Sequence, residues 1–273
     1  MLTHSVKNRL FAAACAALVG VFPTGNAVAA ATAALNDSDS DKVQVELYYE
    51  SQCPGCREMV TTSFYEAFQA PGFLDMADVT FVPYGNAQET GTTASGTYEF
   101  KCQHGESECI YNVIETCALA KIDDPLVQFK YIDCIEHNDE SRDPTQDYFK
   151  VAIACAELAD LADDVVSNMQ DCATGVEGNR LEHEMAVKTD SLDPPHKYVP
   201  YIVVNGNHTD DIQNAVTDSL LNYVCNAYTG SDKSPGCPSE NGGSAVNAYY
   251  HYENEICYRY DLTATDAVAV AEE

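Results

Sequence analysis

The stretch that most constrains this chain is VQVELYYESQCPGCREMVTTSFYEAF, residues 43–68, in which a strand pattern, two cysteines two residues apart and a helix pattern follow one another. Val43, Val45, Leu47 and Tyr49 are apolar or aromatic at alternate positions, with Tyr48 between the last two, and predict a mostly buried strand. From Pro54 onward, Val60, Phe64 and Phe68, with Met59 and Ala67 beside them, fall on one face of a helix. Pro54 suits the first turn, where its missing N–H has no intrahelical partner. Cys53 is thereby placed at a helix N-terminus, where unpaired N–H groups and aligned peptide dipoles favour the thiolate. Cys56 lies one turn further in, better shielded and within reach, as a resolving thiol must be. A CxxC also serves as a structural disulfide or as half of a zinc site. The order strand, CxxC, helix favours redox chemistry over both.

The start of the chain has a different character. Lys7 and Arg9 precede an apolar run from Leu10 to Phe22, too short to span a bilayer, and Ala27-Val28-Ala29 forms a small-x-small cleavage pattern. Residues 1–30 are read as a secretory signal peptide, and residues 31–42, ATAALNDSDSDK, as a flexible acidic lead-in. Without Lys7 and Arg9 the formal charge moves from −29 to about −31, a field that repels phosphate backbones and anionic membranes. Nucleic acid is excluded as a partner on that ground, and no stable membrane insertion is expected. Of the 12 cysteines, Cys15 lies in the leader; Cys102, Cys109, Cys117, Cys134, Cys155, Cys172, Cys225, Cys237 and Cys257 remain beside the CxxC pair. In an oxidising compartment most of these pair, and their odd number leaves one that is free, pairs between chains or exchanges with the active pair. Asn36 and Asn207 stand in glycosylation sequons.

Along the chain, Val79, Phe81 and Val82 predict a second strand stopped by Pro83, and residues 86–97 a polar loop. Ser107 is the expected cap of a helix with Ile110, Val113, Ile114 and Cys117 inward and Asn112 and Glu115 outward. Further helices are expected over 126–135, 145–161, 164–172 and 179–188. Together they form an inserted, disulfide-stapled helical subdomain over about 101–190, with no metal site because His137 and His183 lack zinc-ligand spacing. Tyr201–Val204 returns to strand after Val199-Pro200, Asn205-Gly206 turns, and residues 211–230 give a helix. The tail, 238–273, is read as irregular, tied to the body only through Cys257. His104 is read first as a residue that caps or bonds its turn, and second as one that tunes a thiolate.

The motifs YYESQCPGC, CQHGESECIYNVIETC from Cys102 to Cys117, and PPHKYVPYIVVNG from Pro194 to Gly206 resemble the gamma-interferon-inducible lysosomal thiol reductase family over roughly 43–237. The resemblance implies an α/β, thioredoxin-like fold with a disulfide-rich helical insertion between the second strand and the X-Pro strand. It implies reduction of protein disulfides in an acidic endosomal or lysosomal compartment, with Cys53 attacking and Cys56 resolving; the leader alone also allows secretion. It also implies a cis Val199-Pro200 bond facing the pair and holding substrate backbone. No cofactor is expected beyond the cysteine pair and an external small-thiol reductant. The alternatives are a secreted, disulfide-stabilised interaction protein with a structural CxxC, and an oxidase or isomerase on the same scaffold. The Pro-Gly dipeptide between the cysteines and the long tail depart from the family pattern.

Overall fold

The computed structural model describes residues 42–138, 141, 143, 147–231, 233–238 and 256–259. The expected signal peptide, most of the expected lead-in with Asn36, and most of the tail lie outside the described residues.

The centre is a three-stranded sheet in the order β2-β1-β6. β1 (Val43–Tyr49) runs parallel to β2 (Ala77–Pro83) and antiparallel to β6 (Tyr201–Val204), so Leu47 lies between Phe81 and Ile202. Parallel strands need a crossover, and the CxxC segment supplies it. That segment is α1 (Pro54–Met59), a π-helical stretch (Val60–Phe64) and α2 (Tyr65–Gln69), followed by the single turn α3 (Phe73–Met76). On the other side of β6 lies α9 (Asp210–Ala227), whose first turn Thr209 caps by accepting from the Ile212 N–H. α9 breaks its helical geometry at Ser219, and the hydroxyl of Ser63 bridges the break: it donates to Val216 O and accepts from Leu220 N. Met59, Val60, Phe64, Phe81, Ile202, Val216 and Leu220 are buried in one core with Cys53 and Cys56.

The insertion begins where a loop is predicted. Gln88–Thr92 (β3) and Tyr98–Lys101 (β4) instead form an antiparallel hairpin, its turn closed by Gly96 N donating to Thr93 O. Five helices follow: α4 (Glu106–Lys121), α5 (Pro125–His137), α6 (Tyr148–Leu158), α7 (Asp163–Thr174) and α8 (Val176–Asp190). They enclose a second core around Tyr111, Ile114, Tyr131, Ile135 and Cys155. Disulfides Cys117–Cys172 and Cys134–Cys155 staple α4 to α7 and α5 to α6, and Cys102–Cys109 ties the end of the hairpin to α4. Cys225–Cys237 fastens the chain that leaves α9. The architecture is thioredoxin-like, with the disulfide-rich helical insertion between β2 and the X-Pro strand.

Two expectations for α4 are corrected. Ser107 lies inside the helix rather than capping it, and its hydroxyl donates to Gln52 Oε1. Asn112 and Glu115 point inward and are fully buried, while Ile110 and Val113 are only half-buried. The face that packs on the CxxC segment is polar because it satisfies that segment's backbone, as described next.

Candidate active site

Cys53 occupies the N-cap of α1 with extended backbone, φ −66° and ψ 122°, and Pro54 follows as the first helical residue. The loop before it is held from α4: Ser51 N donates to Asn112 Oδ1 at 3.0 Å, and Ser51 Oγ donates to Glu108 O. Arg57 is buried, and its guanidinium donates to Ser51 O, Ser141 Oγ and Asn138 O. The inward polar face of α4 is therefore what fixes the approach to Cys53. Opposite stands Val199-Pro200, joined by a cis peptide bond. Val199 O lies 3.8 Å from Cys53 Sγ, and Gln213 of α9 holds the strand by accepting from Ile202 N and donating to Pro200 O.

Cys53 is not bonded to Cys56. Its partner is Cys257, from the tail. Residues Cys257–Tyr258 form a short strand, β7, antiparallel to β5 (Tyr198–Val199), with Val199 opposite Cys257. The tail is thus tied to the body through Cys257, in a regular strand where an irregular segment is expected, and both cysteines of the bond sit at the proposed point of attack. Cys56 is the free thiol among the described cysteines; it is fully buried and accepts from Glu50 N at 3.4 Å. Burial, and then the charge of Glu50, push its pKa well above the ordinary thiol value, so it is held as a thiol until it reacts.

A carboxylate-rich shell lies behind the pair. Glu50 is fully buried; burial and the neighbouring Glu108 raise its pKa, partly offset by the Asn86 N–H that donates to it at 2.7 Å. Gly85, at φ 59°, makes this approach possible: a Cβ there would stand 2.4 Å from Glu50 Cγ. His104 Nδ1 lies 2.5 Å from Glu108 Oε2 and 3.6 Å from Glu50 Oε2, and its Nε2 lies 3.7 Å from Cys257 Sγ. Deeper still, Tyr49 OH donates to Glu115 Oε2 at 2.6 Å, and burial raises Glu115 to about 7. Glu136, raised well above the usual range by burial and by Glu115, is also close to Arg57.

The structure therefore brings together Cys53, Cys56, Val199, Pro200 and His104. Asn207 is exposed on the turn after β6, away from the site. Among the described residues, one group of metal-ligand types, Glu50, His104 and Cys257, lies close together, but its sulfur is taken up by the bond to Cys53. Glu50, Arg57, Asn86, Gln103, Glu108 and Glu115 are site residues that periodicity does not single out. Gln103 and Glu108 sit within the CQHGESEC motif, which is the one sequence signal pointing to them.

The family description "Gamma interferon inducible lysosomal thiol reductase (GILT)" matches residues 44–174. A gamma-interferon-inducible lysosomal thiol reductase of Carassius auratus is 42% identical over 199 residues, spanning 73% of each chain. The chain belongs to the gamma-interferon-inducible lysosomal thiol reductase family. The enzyme of that name from Mus musculus is 38% identical over 201 residues, again 73% of each chain. An Arabidopsis thaliana gamma-interferon-responsive lysosomal thiol protein is 33% identical over 224 residues, 82% of this chain and 87% of its own. Among solved structures, the Actinomyces oris thiol-disulfide oxidoreductase MdbA aligns with a TM-score of 0.46 and 11% identity over 71% of this chain and 85% of its own. As a member of the GILT family the chain is a thiol reductase.

Proposed function

We propose that Cys53 attacks disulfides of polypeptide substrates and that Cys56 resolves the mixed disulfide, within an acidic lysosomal or endosomal lumen or after secretion. The observation that carries this reading is the Cys53–Cys257 bond itself. It is a mixed disulfide between the N-cap cysteine and an extended segment seated beside Pro200, with the free Cys56 buried behind it. In turnover, Cys53 thiolate attacks a substrate sulfur, one substrate sulfur leaves as a thiol, and Cys56 then displaces the other. Cys53 and Cys56 end bonded, and a small thiol reductant restores them. His104, aimed at the sulfur bonded to Cys53, supplies a proton to the departing sulfur. Val199 and Pro200 hold the substrate strand. Attack in acid requires a depressed thiol pKa, which a helix N-terminus provides, because a thiol of pKa about 8.5 is ionised to well under ~0.1% at pH ~5. The high density of acidic groups disfavours nucleic acid as a partner, and no described helix is long and apolar enough to cross a membrane.

The test is reduction of a denatured, disulfide-bonded protein at pH 4.5 to 5.5. Wild type should be active and Cys53→Ser inactive, while Cys56→Ser should accumulate a substrate adduct on a non-reducing gel. Equal rates for wild type and Cys53→Ser would remove Cys53 from the chemistry.

A further inference from the structure

The tail strand is gripped by main chain and by side chains. It pairs with β5, where Arg259 N also donates to Lys197 O at 3.1 Å. Two side-chain amides bind its carbonyls in addition. Asn86, in the turn after β2, donates from Nδ2 to Cys257 O at 2.8 Å and to Gln103 Oε1 at 2.9 Å. Gln103, in the turn between β4 and α4, donates from Nε2 to Tyr258 O at 2.6 Å. The two amides orient each other and aim a donor at each of two successive main-chain carbonyls. Asn86 is itself anchored through its backbone N–H on Glu50.

Main-chain carbonyls are common to every polypeptide, so this wall recognises an extended backbone rather than a sequence. It fixes register through the cysteine bonded to Cys53. The ring of Tyr258, the residue after that cysteine, meets the ring of Tyr198 edge-on at 6.3 Å. A cysteine in a central strand of a folded sheet has both edges already paired and cannot enter between β5 and the amides. A locally unfolded one can.

We propose that Asn86 and Gln103 form a second wall of the substrate groove, holding the carbonyls of a substrate cysteine and of its next residue, and that residues 256–259 occupy this groove as an internal substrate. The proposal rests on the reading of Cys53 as the attacking thiol and adds to it a substrate class: cysteines in extended polypeptide, with a large or aromatic residue following favoured by Tyr198. Emptying the groove follows from the same chemistry. Cys56 attacks Cys53 Sγ; the Cys53–Cys56 bond forms as Cys53–Cys257 breaks. The electron pair goes to Cys257, which gains a proton as Cys56 loses one, so nothing is oxidised overall. A small dithiol then reduces Cys53–Cys56 and is itself oxidised to a disulfide.

The experiment uses full-length Cys257→Ser protein, in which no tail bond forms, alone and combined with Gln103→Ala or Gln103→Glu. Each is assayed at pH 5 on denatured ribonuclease A and on 5,5′-dithiobis(2-nitrobenzoate), a disulfide without main chain. Loss of one hydrogen bond to the bound backbone should lower the ratio of kcat/KM for the protein to that for the small disulfide about five- to tenfold, mostly through KM. Wild type without pre-reduction should show a longer lag on both substrates than Cys257→Ser, whose Cys53–Cys56 bond needs only the dithiol. An unchanged ratio in both Gln103 variants overturns the wall, and identical initial progress curves for wild type and Cys257→Ser overturn the occupied groove. If Cys257→Ser reduces neither substrate, the reading of Cys53 falls and the groove with it.

Discussion

The buried carboxyls make the fold more stable in acid, and Glu115 gives the effect a size. Its pKa is raised from 4.5 to about 7, chiefly by burial. Between those values the folded protein keeps a proton there that the unfolded chain has lost. Stability from this group is therefore fully present below about pH 4.5 and is lost as pH rises through about 7, a difference of about 3 kcal/mol. Glu50, Glu136 and Glu182 are displaced in the same direction by burial. His208, lowered by burial, works in the opposite sense: the stability it adds is fully present above its ordinary value and is lost as pH falls through its lowered one. Glu115→Gln isolates the Glu115 part, because a neutral amide keeps an acceptor for Tyr49 OH and has no proton to lose. It also removes a charge that raises Glu136. Urea unfolding without reductant, followed by circular dichroism at pH 4.5 and 7.5, should show wild type losing stability at the higher pH. The variant should recover about 3 kcal/mol of that loss. Parallel stability curves for the two proteins would refute the reasoning, since they would mean that Glu115 titrates alike folded and unfolded.

Arg57 is the buried cation of this shell, so Arg57→Leu should cost about 3 to 5 kcal/mol at pH 7.5 and less at pH 4.5, where its acidic neighbours are protonated, as read by thermal unfolding at the two pH values. The Cys117–Cys172 bond spans 55 residues and Cys102–Cys109 spans 7. Replacing the first pair by alanines should cost about 4 kcal/mol against about 2.5 for the second in denaturant titrations, if restriction of the unfolded chain dominates. Gly178→Ala should lower the melting temperature measurably, because its Cβ would meet Cys172 O at 2.5 Å where α8 crosses that disulfide.

The frame around the CxxC was legible in the sequence because its signals are local: a strand period, a CxxC and a helix period in succession, and a proline opening a later strand. The hairpin at 88–101 was not, because its strand QETGT is polar and exposed and owes its form to pairing with YEFK. The inward turn of Asn112 and Glu115 escaped for a related reason. Hydrophobic periodicity assigns polar residues to solvent, whereas here they satisfy the backbone of Ser51 and the hydroxyl of Tyr49. The odd cysteine count required at least one thiol to be free, paired between chains or exchanging with the CxxC pair, and could not choose among these. Only coordinates single out Cys257, since the pairing joins residues 204 positions apart.

A protein that breaks disulfides while depending on them has to discriminate between bonds within its own molecule. Cys117, Cys155 and Cys172 are at most 1% exposed, and their bonds lie inside or against the insertion, on elements other than the one that carries the CxxC. The bond at Cys257 is chemically the same kind of linkage, yet its Cys53 half sits one helical turn from the reserve thiol Cys56. On the proposed mechanism, reach rather than intrinsic bond strength divides the set into permanent struts and a latch. On that mechanism the same criterion extends to foreign chains, whose crosslinks become vulnerable only once their fold has loosened enough to bring a sulfur to Cys53.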